Sequence, residues 1–271
     1  MIGVFDSGFG GLTILKGLVK ALPSYDFVYL GDNARTPYGN RSFESVYRYT
    51  LEAVSYLFSL GCPLVILACN TASAKALRTI QQSDLPKIAP QNRVLGIIRP
   101  VAEEIGNFTK TGHIGILGTE GTIASQSYLL EIAKFWPSLQ VKQEACPMLV
   151  PLVENGLISH PATEIFIREY TQKILEKDLR IDTLILGCTH YPLLQELFIK
   201  VLPKNVRIFS QGSIIAQKTL AYLANHPEID NRISKNSKIR FLTTDSAEFF
   251  EKGMATFWHS KVKAESINLL Y

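Results

Sequence analysis

Strand candidates recur along the chain, at residues 2–5, 27–30, 64–68, 94–97, 113–117, 141–145, 183–186, 206–209 and 239–243, and most of them are apolar nearly throughout. Between them, residues 42–60, 125–135, 162–175 and 214–223 carry apolar side chains at helical spacing. A strand with one wet face alternates apolar and polar residues. A strand without that alternation needs cover on both faces, which a parallel sheet between layers of helices supplies. The pattern therefore predicts an α/β fold. In 271 residues, 46% of them hydrophobic, there is room for two such lobes with a core in each.

Composition narrows the function classes. The first residues run straight into "IGVFD", without the basic and apolar regions of a secretory signal, and no apolar stretch approaches the roughly 20 residues of a spanning helix. A cytoplasmic protein with no membrane partner is the expectation. The net charge of +4 is mild and scattered, apart from Arg232, Lys235, Lys238 and Arg240, which read as a solvated loop and strand edge. No basic face joins a recognisable nucleic-acid-binding module, so no nucleic-acid partner is expected. The four cysteines, Cys62, Cys69, Cys146 and Cys188, stand far apart, which suits neither a disulfide framework nor a zinc site. No metal is expected, since HExxH and CxxC are both missing. No Gly/Ser-rich linker marks a domain boundary.

Two segments resemble each other. "LVILACNTASAKALR", from Leu64, and "LILGCTHYPLLQELF", from Leu184, both run apolar, then small residue, cysteine, polar residue. Each cysteine falls at the predicted junction of a buried strand and a helix, where the helix dipole lowers a thiol pKa. Each segment closes a strand in its own lobe, with a crossover near residues 96–100, so the two lobes are expected to face one another. Cys62 and Cys146 lack this context and read as inert small hydrophobes.

Three loops supply polar groups at predicted strand ends, where ligands collect in open α/β sheets. "DSGFGGLTIL", from Asp6, is a tight turn whose backbone N–H groups suit a carboxylate or phosphate. Thr13 stands where a dinucleotide fingerprint needs its third glycine, and Asp6 or Ser7 serves equally as a plain N-cap. "GDNARTPYG", from Gly31, reads as a turn. "GILGTEGTIAS", from Gly115, sets Thr119 and Thr122 before a helix, as anion ligands or as caps.

Two facing thiols can act as a base and an acid on opposite sides of one carbon, which inverts a stereocentre. A Cys-His hydrolase is the competing reading, with His190 beside Cys188 but no motif for an oxyanion hole. A thiol redox sensor and a noncatalytic partner-binding protein also stay open.

Taken in order, "DSGFGG", "GDNARTPYG", "ACNTAS", "GTEGTIAS", "VPLVENG", "GCTHYP" and "FLTTDS" resemble the glutamate racemase family over nearly the whole chain. The resemblance implies two pseudo-symmetric lobes, each a mainly parallel sheet flanked by helices, with the active site between them. It divides the chain into residues 1–95 plus 211–271, the Cys69 side, and 96–210, the Cys188 side. It implies interconversion of L-glutamate and D-glutamate without a cofactor, supplying D-glutamate for peptidoglycan. Cys69 would act on D-glutamate with help from Asp6, and Cys188 on L-glutamate with help from Glu154 and His190. Ser7, Tyr38, Gly39, Asn70, Thr71, Thr119, Thr122, Thr189 and His190, together with Asp6, would surround the amino acid. A homodimer is implied; a side interaction with DNA gyrase and activity on aspartate are left open. Arg99 and Ser210 stand where relatives commonly carry acidic residues.

Overall fold

The computed structural model describes residues 1–258 and 262–269. Among the described residues ten strands form two sheets: β1 (Ile2–Asp6), β2 (Phe27–Gly31), β3 (Leu64–Leu67), β4 (Arg93–Gly96), β5 (His113–Gly118), β6 (Gln140–Ala145), β7 (Thr183–Gly187), β8 (Arg207–Phe209), β9 (Ile239–Thr243) and β10 (Ala264–Ser266). The first sheet runs β10-β9-β2-β1-β3-β4 and the second β6-β5-β7-β8, with every pairing parallel. The order β2-β1-β3-β4 of the first sheet is repeated by β6-β5-β7-β8 in the second, so the lobes are pseudo-symmetric.

The apolar runs behave as parallel strands should. Every residue of β1, β2, β3, β5 and β7 is buried, and each buried Val, Leu or Ile side chain contributes about 1.5–3 kcal/mol. In both sheets the chain order reverses around the central pair, β1/β3 and β5/β7. These are switch points, where crossovers leave in opposite directions and open a crevice beyond the carboxyl ends of the strands. After β8 the chain returns through the helix Gln211–Asn225, which packs on the helix Leu12–Ala21. That approach needs glycine, because a Cβ on Gly17 would lie 2.9 Å from the Gly212 carbonyl oxygen.

The sequence pattern misses β10, a short strand whose "AES" is partly or fully exposed. It lies at the sheet edge and has no core face to impose an apolar pattern. Among the described residues no helix is long and apolar enough to cross a membrane, and all four cysteines are free.

Candidate active site

The two crevices merge into a cavity of about 100 Å³, lined from both lobes by Ser7, Tyr38, Gly39, Asn70, Thr71, Thr119, Thr189 and His190, with Cys69 and Cys188. A buried water needs about 10–15 Å³, so the space has room for a small molecule of several heavy atoms. Ser7 follows β1, Cys69 follows β3, Thr119 follows β5 and Cys188 follows β7. The paired central strands thus deliver corresponding residues to one place.

The two thiols have different surroundings. Cys69 caps the short helix Asn70–Lys75, its Sγ accepting from the Ala72 N–H at 3.4 Å and lying 3.6 Å from the Ser7 hydroxyl. Burial pushes the Cys69 thiol up to about 12, and the negative charge of Asp6 adds to this; the Ala72 N–H and the Ser7 hydroxyl oppose them without prevailing. The lowered pKa expected from the helix terminus is therefore corrected: a six-residue helix cannot offset removal of the thiolate from water.

Cys188 is not a helix cap. After it come Thr189, His190 and a short 3₁₀ turn, Tyr191–Leu194, with Pro192 in its first turn, before the helix Gln195–Val201 begins. Its partner is His190, with Nδ1 3.8 Å from the sulfur and Nε2 3.0 Å from Glu154 Oε1. Burial works against the imidazolium, but the bonds to Cys188 and Glu154 outweigh it and raise His190 to about 10.

Asp6, Thr122 and Glu154 stand behind the cavity wall, not on it. Asp6 is fully buried; its Oδ1 accepts from the Gly8 N–H at 3.0 Å and its Oδ2 from the Thr189 hydroxyl at 3.5 Å. Burial raises its pKa, against the nearby His190 charge and the Gly11 and Gly8 N–H groups. Thr122 joins a triangle of hydroxyls across the lobes: Thr71 to Thr119 at 2.9 Å, Thr119 to Thr122 at 3.0 Å and Thr71 to Thr122 at 3.4 Å. The Gly121 N–H donates to the Gly39 carbonyl at 2.7 Å, a further bond between the lobes. The Tyr38 hydroxyl donates to Asp32, which leaves its ring and backbone for the cavity. Among the described residues no group of three or more His, Cys, Asp or Glu side chains has an arrangement that could hold a metal ion.

The match of this chain to known proteins is extensive. The family model described as Asp/Glu/Hydantoin racemase matches residues 2–219. The glutamate racemase of Persephonella marina is 41% identical over 269 residues, covering 99% of this chain and 97% of that protein. The chain belongs to the glutamate racemase family. The solved glutamate racemase of Bacillus anthracis superposes with a TM-score of 0.89 at 35% identity, covering 99% of this chain and 97% of that one. That of Francisella tularensis, in complex with D-glutamate, gives 0.87 at 32% with the same coverage.

Within this glutamate racemase fold, sequence reasoning passed over Thr36, Pro37, Asn40, Glu120, Pro147, Val150 and Pro151, which also line the cavity. Thr36, Pro37, Glu120, Val150 and Pro151 lie inside the quoted motifs and Asn40 directly follows one, so the motifs themselves carried the signal. Tyr128 and Gln211, buried behind Asn70, carried none: Tyr128 sits in the stretch 125–135 that reads as ordinary helix, and Gln211 falls between the strand run 206–209 and the helical stretch 214–223. Arg99 pairs with Glu103 at 3.0 Å on the surface and Ser210 is exposed; neither lines the cavity.

Proposed function

We propose that this protein interconverts L- and D-glutamate by moving a proton on one face of Cα and returning another on the opposite face. One observation carries the reading: two buried thiols end corresponding central strands of pseudo-symmetric sheets and line the same small cavity. Their surroundings differ. In the L-to-D direction Cys69 enters as the thiol, the form that burial and the Asp6 charge favour, and Cys188, facing the His190 ring, enters as the base.

L-Glutamate then loses its Cα proton to Cys188, and Cys69 gives its proton to the other face, releasing D-glutamate with the two protonation states exchanged. The reverse direction starts from that exchanged state. Glu154 bonds His190 beside Cys188, and Asp6, whose charge acts on Cys69, assists the Cys69 side. Hydroxyls of Ser7, Thr71, Thr119 and Thr189, with the backbone at Tyr38 and Gly39, bind the carboxylates, and Thr122 fixes Thr71 and Thr119. These donors stabilise charge as it spreads from the carbanion into the α-carboxylate, in a site closed to water.

The lobes of this reading are residues 1–95 with 211–271 and residues 96–210. The family resemblance supports a cytoplasmic homodimer that supplies D-glutamate for peptidoglycan. Circular dichroism of D-glutamate with the purified protein and no added cofactor tests the activity. Ellipticity should decay to zero, with D-aspartate largely unchanged. A stable glutamate signal from folded protein refutes the activity, and comparable decay of aspartate refutes the substrate preference.

A further inference from the structure

Behind the cavity wall, side chains from separate parts of the chain form a connected hydrogen-bond circuit. Gln211, the first residue of the helix returning to the first lobe, donates from Nε2 to the Leu186 carbonyl near the end of β7. A carbonyl only accepts, so this bond fixes which end of the Gln211 amide faces it and turns Oε1 the other way. Oε1 accepts from the Tyr128 hydroxyl at 3.1 Å and from Asn70 Nδ2 at 3.3 Å. With its proton given to Gln211, the Tyr128 oxygen accepts from Asn70 Nδ2 at 2.9 Å. Both hydrogens of the Asn70 amide are then in use. Its Oδ1 is buried without a protein partner, on a residue that lines the cavity and is only 2% exposed.

We propose that Tyr128 and Gln211 are positioning residues that hold Asn70 with its carbonyl toward the substrate, where Oδ1 accepts a hydrogen bond from the α-ammonium group. The proposal rests on the reading of the chain as a glutamate racemase. Among the groups of glutamate only the ammonium donates; its carboxylates would face Oδ1 acceptor to acceptor. A neutral acceptor suits the chemistry, because it stabilises the charged ammonium without adding a negative charge beside a developing carbanion. Asn70 follows the Cys69 strand while Tyr128 and Leu186 belong to the other lobe, so ammonium recognition is complete only when both lobes contribute.

Glutarate keeps both carboxylates and lacks the ammonium, which separates this role from a structural one. Calorimetric titration of wild type, Tyr128→Phe and Gln211→Leu with D-glutamate and with glutarate provides the test, with thermal melts as the folding control. In both variants the Kd for glutamate should rise about tenfold, the loss of one charge-assisted hydrogen bond, while that for glutarate stays within about twofold. The KM for glutamate should rise more than kcat falls. Equal weakening of both ligands, or unchanged glutamate binding in either variant, overturns the positioning role. The free protein gives a readout that needs no substrate: the Asn70 side-chain amide protons should exchange slowly in ¹⁵N spectra, and faster in Tyr128→Phe. Fast exchange in wild type overturns the circuit. Slow exchange in a wild-type protein that binds no glutamate overturns the substrate reading, and with it the ammonium assignment.

Discussion

Gly10 is the position where one added methyl group should separate stability from catalysis. A Cβ there would lie 2.3 Å from the Thr189 hydroxyl oxygen, 2.5 Å from His190 Nδ1 and 2.6 Å from His190 Cε1. The imidazole cannot swing aside freely, because Glu154 holds Nε2 and the Phe257 ring packs edge-on at 5.6 Å. Relieving the contact from 2.3 Å to the 3.4 Å of ordinary packing displaces the Thr189–His190 segment by about 1 Å. Overpacking of this kind costs about 1–3 kcal/mol, and a misplacement of about 1 Å at reacting groups costs on the order of 10²-fold in rate. Gly10→Ala should therefore melt several degrees lower and racemise glutamate about a hundredfold more slowly per folded molecule. Gly61→Ala is the control, since Gly61 has φ +81° and nothing within 4 Å of its Cβ. It strains the backbone by about 1–2 kcal/mol without touching the site, so it should lose stability and keep its rate. Thermal melts and polarimetric rates on the same samples decide. A Gly10→Ala enzyme with wild-type kcat would show that the turn and the Cys188 loop do not need this close approach.

Further outcomes follow from the same geometry. Cys69→Ser and Cys188→Ser should each lose racemisation, yet each should still eliminate chloride from a β-chlorinated glutamate, the first from the L-like and the second from the D-like enantiomer. Loss of both eliminations in both folded variants refutes opposite-facing bases. Asp182 accepts from the Thr109 hydroxyl at 2.6 Å, the Lys110 and Thr111 N–H groups at 2.7 and 2.9 Å, and the Thr183 hydroxyl at 2.8 Å. Burial raises its pKa, but these bonds outweigh it and hold the carboxyl at about 2. The folded value is below the unfolded one, so this stabilisation is present above about pH 4 and is lost as pH falls through about 2. Asp182→Asn should cost about 2 kcal/mol at neutral pH and flatten the acid side of a plot of Tm against pH. An unchanged acid limb refutes the assignment.

The fold was legible because buried parallel strands leave an unmistakable trace: residues 2–5, 64–68, 113–117 and 183–186 are apolar on both faces, and all became central strands. The gathering of Ser7, Cys69, Thr119 and Cys188 was legible too, since loops after parallel strands share one end of the sheet. Electrostatics was not legible. A cysteine before a helix advertises a dipole, but only the packed structure reveals how completely Cys69 leaves water, and desolvation wins. Nor could sequence spacing reveal the contacts of Asn70 with Tyr128 and Gln211, which join residues 58 and 141 positions apart.

In the proposed reaction two thiols on opposite faces of Cα share the proton transfer. Racemisation of L-glutamate in D₂O, sampled at early times and resolved by enantiomer before mass spectrometry, tests this most directly. The account predicts deuterium at Cα of the D-glutamate formed and protium at Cα of the L-glutamate remaining, because Cys188 removes the original proton while Cys69 delivers one exchanged from solvent. Deuterium entering remaining substrate and product equally from the first samples, or product retaining the original protium, would contradict it.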